Sequence, residues 1–140
     1  MKKLMINLLL LATIFNLSLY ADTKIHKVVI QVSTDEPRTQ KIALNNAVNL
    51  QKLYGIDNVE IEIVAYGPGL GMLTKKNPNS KRVTSLALSD ITFSACMNTM
   101  AKVKKKTGHE AVLSDGVGKV QAGVARIIEL QEEGYSYIRP

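Results

Sequence analysis

The sequence predicts a flavodoxin-like α/β domain: a mainly parallel, five-stranded sheet with helices on both faces. Three observations carry this. Short runs rich in Val and Ile alternate with amphipathic stretches of helical period, and the alternation continues to a fifth apolar run. The 140 residues favour one domain, and no linker or fixed-period repeat divides them. The core must be aliphatic, because only 5% of residues are aromatic and Trp is absent.

The first residues read as a targeting segment. Met1-Lys2-Lys3 is a positive start, Leu4 to Leu19 is mostly apolar, and Leu19-Tyr20-Ala21 offers a small residue at a cleavage point. Residues 1–21 are therefore expected to be a cleavable signal peptide, and 22–140 the mature domain. The apolar run falls short of the ~20 residues of a membrane span. A periplasmic or secreted protein with no membrane attachment after cleavage follows, the alternative being an uncleaved anchor. Loss of Lys2 and Lys3 takes eighteen Lys and Arg to sixteen, against twelve Asp and Glu, a net charge of +4. Four of these cations are Lys102, Lys104, Lys105 and Lys106, a solvated run that suits a helix C-terminus. No aromatics interleave with them to stack on bases, so nucleic acid is not an expected partner.

Ile25 to Val32 reads as a strand buried on both faces, from the nearly continuous Val28, Val29, Ile30 and Val32. Ser33 to Pro37 starts a helix, either through a Ser33/Glu36 capping box or with Pro37 in its first turn. That helix runs to about Tyr54 and ends at Gly55, with Ala43, Ala47, Leu50 and Tyr54 on one face. Val59 to Tyr66 is a second strand. Glu60 and Glu62 on its alternate face predict a sheet edge with one wet side. Two turn-rich segments follow, Gly67-Pro68-Gly69-Leu70-Gly71 and Asn77-Pro78-Asn79-Ser80, then a short helix over Lys81 to Leu88. Ile91 to Cys96 is a third strand, and Met97 to Thr107 a helix closed by Gly108. A fourth strand is expected over Glu110 to Leu113. A helix is then expected from the Ser114-Asp115-Gly116 turn to Gly134, with a stripe of Val117, Val120, Val124, Ile127 and Ile128. Tyr135 to Ile138 is the last strand. The expected strand order is 2-1-3-4-5.

In such a sheet, ligands bind beyond the carboxyl ends of the strands where the order reverses. With order 2-1-3-4-5 that point lies between the first and third strands. It brings Ser33, Thr34 and Asp35 beside Cys96, the only cysteine. Cys96 precedes a helix, whose free amides carry partial positive charge. Such amides stabilise a thiolate and lower a cysteine pKa from about 8.5. The amides of Met97 and Asn98, with the side chains of Asn98 and Thr99, are placed to hold a sulfur anion. The competing reading is a small buried hydrophobe that closes the strand.

The other candidates are ordinary structural residues as readily as functional ones. Gly67, Gly69 and Gly71 form a possible anion loop or merely a tight turn. Gly116-Val117-Gly118-Lys119 lacks the hydroxyl of a P-loop and reads as a helix start. Asp115 suits a turn, His109 the surface near a helix end, and His26 the far end of the first strand. Met97 and Met100 beside Cys96 read as packing residues, so no metal site is expected.

Ile91-Thr92-Phe93-Ser94-Ala95-Cys96-Met97-Asn98-Thr99-Met100 resembles the cysteine-bearing strand-to-helix turn of the DsrE/DsrF-like family. The Tyr66-Gly67-Pro68-Gly69 turn and the segments Ile127 to Gln131 and Tyr137 to Pro140 resemble an exported-type branch of it, and the likeness covers about Lys27 to Pro140. The resemblance implies a flavodoxin-like fold, homo-oligomers (trimers or multiples of them) and sulfur relay. It implies sulfur carried as a persulfide on Cys96 and passed to a partner thiol, with no cofactor. A small sulfur compound or a protein thiol would then be the partner. The alternative is a non-catalytic oligomeric ligand- or protein-binding module with a buried structural Cys96.

Overall fold

The computed structural model describes residues 24–140, and the expected signal segment lies outside the described residues. Five strands form one sheet: β1 (His26–Val32), β2 (Val59–Ala65), β3 (Ile91–Cys96), β4 (Val117–Val120) and β5 (Ser136–Ile138). Four α-helices connect them: α1 (Pro37–Tyr54), α2 (Ser80–Ala87), α3 (Met97–Thr107) and α4 (Gly123–Glu132). Short 3₁₀ segments occupy Ile56–Asn58 and Gly67–Leu73. Every strand pair is parallel. The class is therefore the α/β fold expected from the sequence.

The strand order differs from the expected one. It is β4-β3-β2-β1-β5, so three successive crossovers step one way and the last returns across the sheet to β5. Right-handed crossovers then place α1, α2 and α3 on one face and α4 on the other. The packing agrees. Ala43, Leu44 and Ala47 of α1 and Val83 of α2 join Ile30, Ile63 and Phe93 in the main core, with Met100 and Val103 of α3 against it. Ile127 and Leu130 of α4 meet Val29 and Val64 on the opposite face.

This order makes β2 an interior strand, paired with β1 from His26↔Val59 to Val32↔Ala65 and with β3 on its other side. The wet-edge reading of Glu60 and Glu62 is thereby corrected. Glu60 is exposed, but Glu62 is buried beneath α4. The neighbouring same-face residue Val64 is fully buried, so α4 covers that face from Glu62 onward.

Two further expectations change. Glu110 to Leu113 joins no strand of the sheet. Its backbone instead meets the segment after β2, through Lys75 N–H to Val112 C=O (2.9 Å) and Ser114 N–H to Leu73 C=O (2.8 Å). Val117 to Val120, expected as the start of a helix, is the edge strand β4, with Val117 opposite Phe93 and Val120 opposite Cys96. The 117/120/124 spacing imitates a helical stripe, but Gly118 and two β-branched valines suit an edge strand better. At the start of α1, Glu36 is the N-cap. Its carboxylate accepts from the amides of Arg38 (3.0 Å) and Thr39 (2.6 Å), and Pro37 occupies the first turn.

Candidate functional site

Cys96 is the last residue of β3 and the N-cap of α3. Side chains alternate along a strand. Ser94 and Cys96 therefore point to the α4 face of the sheet, while Phe93 and Ala95 enter the main core. The pairing of Cys96 with Val120 leaves only Gln121 and Ala122 before α4 begins at Gly123. Two helix N-termini, those of α3 and α4, thus meet at one sulfur.

Neither helix has a side-chain cap, in contrast to α1 with its Glu36. Apart from the Asn98 amide, which donates to the Gln121 carbonyl, their first amides have no backbone acceptor within the helix, and they carry its positive dipole end. The Thr99 hydroxyl and the backbone amides of Gly123, Thr99 and Asn98 face the Cys96 sulfur. Burial pushes the thiol pKa up, but these dipoles together outweigh it and hold the thiol below its ordinary value.

The Thr99 hydroxyl is itself oriented. Gly67 N–H donates to its oxygen at 3.0 Å. A hydroxyl has one proton to give, and with its oxygen engaged as an acceptor that proton is free for the sulfur. Asn98 contributes least to the thiol, because its N–H already donates to the Gln121 carbonyl at 3.2 Å. The Gln121 side-chain amide returns a bond to Asn98 Oδ1 at 3.2 Å, tying the two helix starts together. Cys96 as a whole is 5% exposed, while Met97 beside it is 43% exposed.

The residues proposed from the sequence separate into two groups. Cys96, Asn98 and Thr99 are brought together, with Met97 at the outer surface. Ser33, Thr34 and Asp35 are not beside Cys96: they follow β1, and β2 lies between β1 and β3. Ser33 Oγ accepts from Gln31, Thr34 Oγ1 accepts from the Glu36 amide, and Asp35 is exposed. The cause is the strand order, which moves the reversal point to β1 and β5.

The glycine segment is also redefined. The Gly67 amide is spent on Thr99 and the Gly69 amide on the Tyr66 carbonyl (3.1 Å). Gly71 presents its carbonyl to Thr74. Gly69 is required by close approach, since a Cβ there would lie 2.2 Å from the Val32 carbonyl oxygen. The segment is thus a packed 3₁₀ turn over the end of β1 that supports Thr99.

Gly123 was not legible as a site residue. Its amide faces the sulfur, and a Cβ at this position would come within 2.9 Å of the Tyr66 ring. The sequence signal was the Gly-Val that follows Gln121-Ala122, obscured by reading one long helix from Gly116.

The model of the DsrE/DsrF-like family matches residues 26–140. Among solved structures, the chain is similar to MTH1491 from Methanobacterium thermoautotrophicum, described as a protein of unknown function. The identity is 32% and the TM-score 0.73, over 82% of this chain and 99% of that one. It is also similar in fold to the ychN protein from E. coli, at 13% identity and TM-score 0.65, over 83% of this chain and 100% of that one. No curated protein matches.

Proposed function

The chain belongs to the DsrE/DsrF-like family, which is associated with sulfur relay, and from that premise we propose that Cys96 carries sulfane sulfur as a persulfide. The observation that supports this is the meeting of two helix N-termini without side-chain caps at the only thiol. A thiolate is the attacking form, and amide dipoles favour it over the thiol. The same dipoles favour the persulfide anion that replaces it.

The transfer balances without an oxidant. The Cys96 thiolate attacks a terminal sulfur of a polysulfide, forms a new S–S bond and expels a polysulfide shorter by one sulfur. A partner thiolate then attacks the outer sulfur, the Cys96 S–S bond breaks, and the Cys96 thiolate is regenerated. The acceptor thiol is in trans, because the chain has a single cysteine. Export rests on the pattern of residues 1–21. Self-association belongs to the same reading and rests on the family alone.

The 5% exposure of Cys96 favours a second reading, in which it is structural and the protein is a binding module. One experiment separates the two. The folded chain is treated with polysulfide near neutral pH and its intact mass measured. A carrier gains sulfur that reductant removes, and Cys96→Ser gains none. A wild-type chain that gains sulfur only after denaturation refutes the carrier.

A further inference from the structure

Glu62, Ser94 and Arg126 form a polar cluster on the α4 face of the sheet that no step above uses. Glu62 and Ser94 are buried at 5% and 4% exposure. Glu62 Oε1 accepts from Ser94 Oγ (2.6 Å) and from Arg126 Nε (3.0 Å), and Oε2 accepts from Arg126 Nη2 (2.8 Å). The guanidinium therefore grips the carboxylate with both arms of its fork. Its remaining nitrogen, Nη1, lies 3.4 Å from Glu129 and 3.7 Å from Glu133. Arg126 is surrounded by three carboxylates, so it is not available as a clamp for an anionic substrate.

A buried ion pair is a poor source of net stability when compared with apolar packing. A two-point fork does, however, fix distance and angle together. Arg126 stands in the first turn of α4, three residues after Gly123, and its own amide bonds the Ala122 carbonyl at 3.0 Å. Glu62 is anchored in the interior strand β2. On the other side of the same helix turn, Gly123 sits against the Tyr66 ring, in space that no Cβ would fit. The turn is thus gripped at one end and seated at the other, with the Gly123 amide facing Cys96.

We propose that the Glu62–Arg126 fork is a positioning strut that holds the first turn of α4 over Cys96, so that two side chains not in contact with the sulfur set its reactivity. The inference rests on Cys96 being the functional thiol. The groups facing that thiol are the amides and hydroxyl already described. The charged and titratable groups of this cluster are Glu62, Arg126, Glu129 and Glu133, with Tyr135 near Glu62 and Glu133, and the Tyr66 ring lies against Gly123.

The test is the pH profile of Cys96 reaction with dipyridyl disulfide in the full chain. The variant is Glu62→Gln/Arg126→Gln, which removes one negative and one positive charge and leaves the net charge unchanged. The expected result is an apparent thiol pKa raised by at least about half a unit, about threefold less thiolate below the pKa. Hydrogen exchange at the Gly123 amide is expected to quicken, while that at Ile63 stays unchanged. A profile and a Gly123 exchange rate equal to wild type would overturn the strut, even if the melting temperature fell. Should the double variant not fold, Arg126→Lys carries the same test. It keeps the charge but loses the fork, and the same unchanged readouts would overturn the proposal. A chain that shows the shift but never takes up sulfur defeats only the carrier reading; one that takes up sulfur without the shift defeats only the strut.

Discussion

Replacement of Thr99 by Val removes the one side-chain donor that faces Cys96 while keeping the shape of the residue. Two effects follow from the geometry. The sulfur loses an O–H dipole, and the Gly67 amide, which donates to Thr99 at 3.0 Å, loses its acceptor. A hydrogen bond to a charged group contributes about 1.5–3 kcal/mol. The lower figure is used, because the Thr99 hydroxyl is only one of several dipoles that face the sulfur. About 1.5 kcal/mol raises the thiol pKa by about one unit. The rate of attack on a disulfide does not fall by the full tenfold, since a more basic thiolate is a better nucleophile, with a Brønsted slope of about 0.4–0.5. Well below the pKa, the variant should react about threefold to fourfold more slowly than wild type; on the alkaline plateau it should react about threefold faster. The two pH–rate profiles therefore cross. The assay is stopped-flow release of thiopyridone from dipyridyl disulfide, and any opening step common to both proteins cancels in the ratio. Thr99→Ser, which restores the hydroxyl, should return to the wild-type profile. The orphaned Gly67 amide should also cost about 1–3 kcal/mol of stability, read by urea unfolding. Profiles of Thr99→Val and wild type that superimpose at all pH values would refute the reasoning.

The depressed thiol pKa makes stability depend on pH. In the window between the folded value and the unfolded one of about 8.5, the unfolded chain binds more protons, so the contribution of Cys96 is present above that window and lost as pH falls through the folded pKa. The stability of wild type relative to Cys96→Ala should therefore rise with pH, and urea midpoints at about pH 6 and about pH 9.5 check this; a constant difference contradicts it. Gly69→Ala should destabilise by at least about 2 kcal/mol, because its Cβ would meet the Val32 carbonyl oxygen at 2.2 Å, and Gly71→Ala should stay within about 0.5 kcal/mol, since nothing lies within 4 Å. Equal denaturation midpoints for the two variants would refute the close approach assigned to Gly69.

The class of fold was legible because its cause is local. Val28 to Val32 is a nearly continuous apolar run of the kind a doubly covered sheet buries, and Gly55 and Gly108 end their helices with positive φ. The strand order was not, because nothing local decides whether the chain returns to the β1 edge after its second or its fourth strand. That choice moved Ser33, Thr34 and Asp35 away from Cys96 and brought Gly67 and Gly123 to it. The thiol and its Thr99 partner were legible, since both belong to one strand-to-helix turn. Glu62 was misread as solvated because its partner, Arg126, lies 64 residues away. A same-face neighbour as apolar as Val64 was the available warning. Val117 and Val120 were misread because a four-residue edge strand is too short to distinguish its period from that of a helix.

Discharge of the bound sulfur bears most directly on whether Cys96 is a carrier. The chain is loaded with isotopically labelled polysulfide, freed of excess reagent, and mixed with an acceptor thiol, and the mass of both is followed with time. A carrier loses its labelled sulfur as the acceptor gains it, returns to the unmodified mass, and loads again. A chain that takes up no label while folded, or that keeps it in the presence of the acceptor, contradicts the proposal.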